Sequence, residues 1–158
     1  LVVKEHPRAS KCPNVRNIDF YKRILKCRNT LLLDKSANPK ELISLSVATA
    51  TITGTTALES IFFLKPVLMF GSRIFENAPG VYKITDSKSL RDAIKNIFFT
   101  KNRLSKLSVI KYFSNLDKYV FNYVNNEEDA ANSNGLSVKQ SNKNLSKAML
   151  ENIKLINF

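Results

Sequence analysis

The stretch VATATITGTTALESIFFLKPVLMFG, residues 47–71, decides the fold class of this chain. It begins with Val47 to Ile52, a run of β-branched and apolar residues typical of a buried strand. A glycine turn at Gly54 follows, and then an apolar helical stretch from Ala57 to Leu64. Lys65-Pro66 stops that helix before the next apolar run. The stretch therefore predicts strand, turn, helix and strand, which is the repeating unit of an α/β protein.

Short apolar runs without in-out alternation recur along the first 85 residues. Such runs are typical of strands that are buried on both faces of a parallel sheet. Helical spacing between them predicts helices at Asn17 to Cys27 and at Lys40 to Leu45, the latter with Pro39 at its first position. We therefore expect a Rossmann-like, doubly wound parallel sheet followed by carboxyl-terminal helices. The predicted strands are Val2 to Glu5, Thr30 to Leu33, Val47 to Ile52, Val67 to Phe70 and Val81 to Ile84.

The character of the chain changes after Ser87, where apolar residues recur at helical spacing and no further strand is predicted. A stretch rich in Asn, Ser, Glu and Lys then interrupts the pattern, as in mobile linkers. The last stretch is amphipathic and would need a partner surface. The predicted organisation is a Rossmann-like domain at 1–100, a helical extension at 101–124, a flexible linker at 125–144 and a terminal amphipathic helix at 145–158.

Charge and composition narrow the classes of partner. The 158-residue chain has a net charge of +12, and the excess lies in two blocks: residues 1–28 hold eight basic and two acidic residues, and 81–124 hold nine and three. Such blocks suit an anionic substrate or an anionic membrane surface. They do not interleave with a stacking or groove-reading motif, so we expect no nucleic acid partner. One histidine and two cysteines leave no metal site, and no apolar run approaches the length of a membrane span.

The Gly54 turn has the composition of a phosphate site. Free N–H groups and the positive end of a helix would face the hydroxyls of Thr53, Thr55 and Thr56. Glu59 lies one turn further along the helix, where a carboxylate could accept hydrogen bonds from ribose hydroxyls. In the alternative interpretation Thr53 or Thr55 only caps the helix, and Glu59 is a surface residue.

A second candidate segment follows the first predicted strand. Lys4-Glu5-His6-Pro7-Arg8 contains the single histidine, and open parallel sheets bind ligands at the carboxyl ends of their strands. Because the Gly54 turn follows another strand, we expect both segments to face one crevice of the same sheet. The alternative for His6 is a capping or surface imidazole.

These residues resemble, in order and spacing, the carboxyl-terminal half of the capsule and surface polysaccharide biosynthesis glycosyltransferases. The resemblance covers roughly residues 1–85 and rests on the His6-Pro7 pair, the T-G-T-x-x-x-E pattern from Thr53 to Glu59, and the K-P-V-x-x-F-G pattern from Lys65 to Gly71. It also includes Leu31 to Asp34 and Glu41-Leu42-Ile43. The resemblance implies a GT-B architecture, of which this chain is similar to the donor-binding domain.

The resemblance further implies which residues meet the donor. In members that use cytidine-monophosphate sugars, a His-Pro motif and a hydroxyl-bearing turn contact the nucleotide and its phosphate. By position, these are His6 and Thr53 to Thr56, with Arg8 beside them, and Glu59 falls where the GT-B class binds ribose. The general base of the family comes from an amino-terminal domain, so we expect the isolated chain to be inactive, and no catalytic residue is named.

The expected function is therefore donor binding in a nucleotide-sugar-dependent glycosyltransferase, with the nucleotide sugar as a substrate and no cofactor or metal. A glycan or glycolipid acceptor and an amino-terminal domain would be the partners. We expect a cytoplasmic location with peripheral contact at the inner face of the membrane. Two alternatives stay open: a nucleotide-sugar epimerase-like domain, which would need more histidines and catalytic carboxylates, and a non-catalytic binding or scaffold protein.

Overall fold

The computed structural model describes residues 1–6, 16–99, 104–116 and 135–155. In this part of the chain five short strands and six helices follow one another. The chain divides into two units, Leu1–Ser105 and Lys106–Phe158, and the strands all lie in the first. The elements are β1 (Val2–Lys4), α1 (Ile18–Leu25), β2 (Leu31–Leu33), α2 (Pro39–Leu45), β3 (Thr49–Thr51), α3 (Thr56–Phe62), β4 (Val67–Met69), β5 (Val81–Lys83), α4 (Ser87–Phe99), α5 (Lys106–Leu116) and α6 (Val138–Leu155).

The five strands form two parallel sheets. β1 pairs with β2, and β3, β4 and β5 pair in that order, with Thr51 of β3 opposite Met69 of β4. The α/β class and the parallel strands are thus confirmed. The prediction that β1 and β3 belong to one sheet is wrong for the described residues, because the free edges of β1 and β3 are not hydrogen-bonded to each other.

The core of the first unit lies between the three-stranded sheet and α3. Val67 and Met69 point to the same side of β4 and are both 0% exposed, as are Ala57 and Ile61 of α3. The expectation that every strand is buried on both faces is wrong: β1, β2 and β3 contain no buried residue. β4 is the best-buried strand because it alone is flanked by a strand on each side.

Side-chain caps set the starts of several helices. Asn17 accepts the N–H of Phe20 at 3.0 Å at the start of α1, and Asn38 accepts the N–H of Lys40 at 3.0 Å before Pro39 begins α2. At α4, Asp86 and Ser89 cap each other: Ser89 N–H donates to Asp86 Oδ1 at 2.7 Å, and Asp86 N–H donates to Ser89 Oγ at 3.0 Å.

The described strands are shorter than predicted, and α6 starts earlier. α6 begins at Val138, inside the stretch predicted as linker, because Ser137 Oγ accepts the N–H of Gln140 at 3.1 Å and caps the helix there. Half of the predicted linker (125–134) and part of the helical extension lie outside the described residues. None of the described helices has the length and apolar character required to cross a membrane.

Candidate functional site

The Gly54 turn joins the end of β3 to the start of α3. Gly54 N–H donates to Thr51 Oγ1 at 3.0 Å, and Ala57 N–H donates to the Gly54 carbonyl oxygen at 3.1 Å. A Cβ atom at Gly54 would lie only 2.8 Å from Thr51 Oγ1, so any other residue would displace this bond. Thr51 therefore shapes the turn, a role that the sequence pattern did not indicate.

The first N–H groups of α3 are available to a ligand. No group of the described residues accepts from the N–H of Thr55 or of Thr56. Thr55 occupies the N-cap position, but its hydroxyl makes no capping hydrogen bond, so the alternative in which Thr55 serves as a side-chain cap is not realised. Since α3 has only seven residues, these donor groups contribute more to the positive potential here than a long macrodipole would.

The loop after β4 lies against the same turn. A Cβ atom at Gly71 would be 2.7 Å from Thr53 Cγ2 and 2.8 Å from the Ile52 carbonyl oxygen, so only glycine permits this approach without a shift. Two residues further on, Arg73 Nε donates to the Thr53 carbonyl oxygen at 3.3 Å. The structure thus brings a guanidinium to the Gly54 turn.

Within the part of the chain that the structure describes, Arg73 has no ion-pair partner, whereas the nearby Glu76 and Lys83 pair with each other. Glu76 accepts hydrogen bonds from the Ser72 hydroxyl and from Lys83 Nζ, the latter at 3.0 Å. The Ser72 hydrogen bond and then the Lys83 ammonium hold the pKa of Glu76 below its ordinary value. Among the described residues no carboxylate forms an ion pair with Arg73. The Arg73 charge at the turn is therefore not neutralised by an ion pair within the described part of the chain.

Glu59 lies on α3 one turn beyond the free N–H groups. Its own N–H donates to the Thr55 carbonyl oxygen at 3.2 Å, which is ordinary helix geometry. The side chain is half-buried, and no donor of the described residues reaches its carboxylate. The carboxylate is thus available to an external donor such as a hydroxyl group.

His6 follows β1 and is exposed. Its backbone N–H donates to Glu5 Oε1 at 2.8 Å. Since β1 and β3 lie in different sheets, the structure does not place His6 and the Gly54 turn at the edge of one sheet. Arg8 lies outside the described residues. Of the predicted site residues, Thr53, Gly54, Thr55, Thr56 and Glu59 lie on the segment that joins β3 to α3 and on the first turn of that helix.

Glu5 is the centre of a polar cluster between β1 and α1. It accepts a hydrogen bond from the Tyr21 hydroxyl at 2.7 Å and pairs with Arg16, whose guanidinium lies 5.3 Å from the Phe20 ring centre. Burial raises the pKa of Glu5, but the hydrogen bonds from Tyr21, the His6 N–H and Arg16 outweigh it and hold the pKa below its ordinary value. Glu5 is thereby an ionised structural group and a poor proton acceptor.

No group of three or more potential metal-ligating side chains occurs within the described ranges. Comparison of the chain with protein-family models, with curated proteins and with solved structures gives no match. What supports a function is therefore the chemistry of the Gly54 turn itself.

Proposed function

We propose that this chain is the donor-binding domain of a metal-independent glycosyltransferase of the GT-B type, which uses a nucleotide sugar in capsule or surface polysaccharide assembly. The observation that carries the proposal is the Gly54 turn, where no described group accepts from the N–H groups of Thr55 and Thr56 and where Arg73, which has no ion-pair partner among the described residues, donates to the Thr53 carbonyl oxygen. Backbone donors and an arginine form the usual protein environment of a phosphate group.

The Glu59 carboxylate extends the site from phosphate to nucleotide. A carboxylate would repel a phosphate, so it fits a ligand that carries hydroxyl groups about one helical turn from its charge. A ribose meets that requirement, since its two neighbouring hydroxyls can both donate to one carboxylate. Phosphate at the turn and ribose at Glu59 together favour a nucleotide over inorganic phosphate.

In the proposed reaction the acceptor hydroxyl attacks the anomeric carbon while the bond from that carbon to the donor phosphate oxygen breaks. Negative charge then grows on the departing nucleotide phosphate. The N–H groups of Thr55 and Thr56 and the Arg73 guanidinium would stabilise that charge, with His6 and Arg8 as further contacts. The acceptor proton would pass to a base on an amino-terminal domain, and the glycan or glycolipid acceptor would bind there.

The epimerase-like alternative has less support, because the chain contains one histidine and the carboxylate next to it, Glu5, is held in an ion pair. A scaffold role would leave the free donors at the turn unexplained. The expected location is cytoplasmic, at the inner face of an anionic membrane where a glycolipid acceptor would be found.

Ligand-detected NMR on the full chain tests the proposal. We expect cytidine or uridine monophosphate to bind with a dissociation constant on the order of 0.1 to 1 mM. Without the amino-terminal domain, the donor-binding domain would leave much of the ligand in water. Cytidine and ribose 5-phosphate should each bind more weakly. If the folded chain binds no pyrimidine nucleotide at millimolar concentration, the donor-site proposal is wrong. Binding of every phosphate compound alike would reduce the site to a general anion site.

A further inference from the structure

The outward face of α4 carries a set of basic and aromatic side chains. Ala93 is 2% exposed and Ile97 is half-buried, so α4 packs through the side that bears these residues. Residues three and four positions apart share one face of a helix, and such a series forms the side of α4 opposite Ala93 and Ile97. We call the basic and aromatic residues of that face the α4 stripe: Lys88, Arg91, Lys95, Phe98 and Phe99, with the exposed Asp92 on the same face between Lys88 and Lys95.

The positive charges of the α4 stripe have no ion-pair partner in the described ranges of the chain. No ion pair of the described residues includes a side chain of α4. Lys88 and Arg91 lie in the first half of the helix, where the macrodipole disfavours cations. The helix contains one acidic residue, Asp92, so the stripe keeps an excess of positive charge. These charges therefore favour an external anionic partner.

The two phenylalanines of the stripe identify what kind of anionic partner fits. Phe98 is 62% exposed and Phe99 is 83% exposed, although both would be more stable out of water. They follow the cations along the same face and end the helix. A surface that combines lysine and arginine with exposed phenylalanine is typical of protein segments that rest at a lipid interface. Headgroups attract the cations there, and the phenyl rings enter the boundary of the acyl chains.

We propose that the α4 stripe is a docking surface for an anionic lipid bilayer. The proposal assigns the membrane contact to one face of one helix, and it stands on α4 alone, independently of the nucleotide site. Contact with a nucleic acid or an acidic protein would use the same cations but would not require the two phenyl rings. The rings are therefore the feature that separates a bilayer from those partners.

Co-sedimentation of the full chain with vesicles tests the docking surface. We expect binding to vesicles of phosphatidylcholine mixed with phosphatidylglycerol and much weaker binding to phosphatidylcholine alone. The triple variant Lys88→Gln, Arg91→Gln, Lys95→Gln should lower partitioning on the order of 100-fold, about fivefold for each charge. The matched control Lys22→Gln, Arg23→Gln, Lys26→Gln removes the same charge from α1 and its C-cap. Its partitioning into vesicles should stay at least about tenfold higher than that of the α4 variant.

A second pair of variants tests the aromatic part. Phe98→Ser with Phe99→Ser should weaken vesicle binding most at high salt, where the apolar contribution remains. Phe62→Ser, at a residue that is 63% exposed and lies outside the α4 stripe, should have no effect. Equal losses in the α1 and α4 charge variants, or no effect of the Phe98 and Phe99 changes, would overturn the proposal. Circular dichroism verifies that each variant is folded. Cytidine monophosphate binding should be unchanged in all of these variants. A negative result for vesicle binding is therefore distinguishable from a negative result for nucleotide binding.

Discussion

Arg73 Nε donates a hydrogen bond of 3.3 Å to the carbonyl oxygen of Thr53, twenty residues earlier in the chain. The bond joins the loops that follow two paired parallel strands, β3 and β4. The two loops can approach this closely because residue 71 is glycine, since a Cβ atom there would lie only 2.7 Å from Thr53 Cγ2. The result is a guanidinium hydrogen-bonded to the turn at Thr53, two residues before Thr55, whose N–H, like that of Thr56, has no acceptor among the described residues.

Arg73→Gln should weaken the binding of a nucleoside monophosphate about tenfold, because a charge-assisted contact to phosphate is lost. The affinity for cytidine, which has no phosphate, should not change. Titration by ligand-detected NMR measures both. Arg91→Gln removes an equal charge from α4, far along the chain, and serves as the control. Equal losses for the two variants would mean that Arg73 acts only through net charge.

Glu59→Ala should weaken nucleotide binding by about 1.5 to 3 kcal/mol if the carboxylate accepts hydrogen bonds from ribose hydroxyls. A 2′,3′-dideoxy nucleotide should bind wild type weakly and should lose little more in the variant. Glu41→Ala, which removes an exposed first-turn carboxylate from α2, is the matched control. If the dideoxy penalty persists unchanged in Glu59→Ala, Glu59 is a surface residue, as the alternative interpretation holds.

His6→Ala should lower the affinity for nucleoside monophosphates and leave the affinity for nucleosides unchanged, because the imidazole is expected to contact the donor phosphate. Isothermal titration with cytidine monophosphate and with cytidine measures the difference. Loss of both affinities, or of neither, would show that the segment after β1 does not bind the donor phosphate. That result would also remove a main support of the glycosyltransferase proposal.

The Glu5 cluster predicts how stability changes with acid. Because the folded state holds the pKa of Glu5 below its ordinary value, the ionised carboxylate contributes stability that is complete above the ordinary pKa. This contribution is lost as the pH falls through the lowered pKa of the folded state. Thermal unfolding between pH 2 and 7 should therefore show a smaller acid-induced drop for Tyr21→Phe than for wild type. Tyr82→Phe, on β5, should show the same dependence of the unfolding temperature on pH as wild type. An identical dependence for wild type and both variants would contradict the assigned role of Tyr21.

The strands and their order along the chain were predictable from the sequence, since each is a short apolar run next to a turn. Their lengths were not, because a ladder of hydrogen bonds needs a partner at every position. Val47 and Ile52 belong to the apolar run of β3, but they are 58% and 68% exposed and lie outside the ladder. The start of α6 was predictable in principle: Ser137 and Gln140 have the spacing of a capping box.

The candidate site was predictable only in part, and for a physical reason. The residues from Thr53 to Glu59 are contiguous, so local patterns identify the turn and the helix that follows it. Arg73 belongs to the site through the pairing of β3 with β4, which no local pattern specifies. Arg16 and Tyr21 reach Glu5 from 11 and 16 residues further along the chain, and no local pattern specifies these contacts either.

The central claim is that the Gly54 turn binds the phosphate of a nucleotide, and amide chemical shifts test it most directly. Cytidine monophosphate should be titrated into the uniformly 15N-labelled chain at up to several times the expected dissociation constant, which is on the order of 0.1 to 1 mM. We predict the largest shifts at the N–H groups of Thr55 and Thr56 and at Arg73 Nε, with none of comparable size when cytidine is used. Saturable shifts that leave these three groups unmoved, or no shifts at all in the folded chain, would contradict the account.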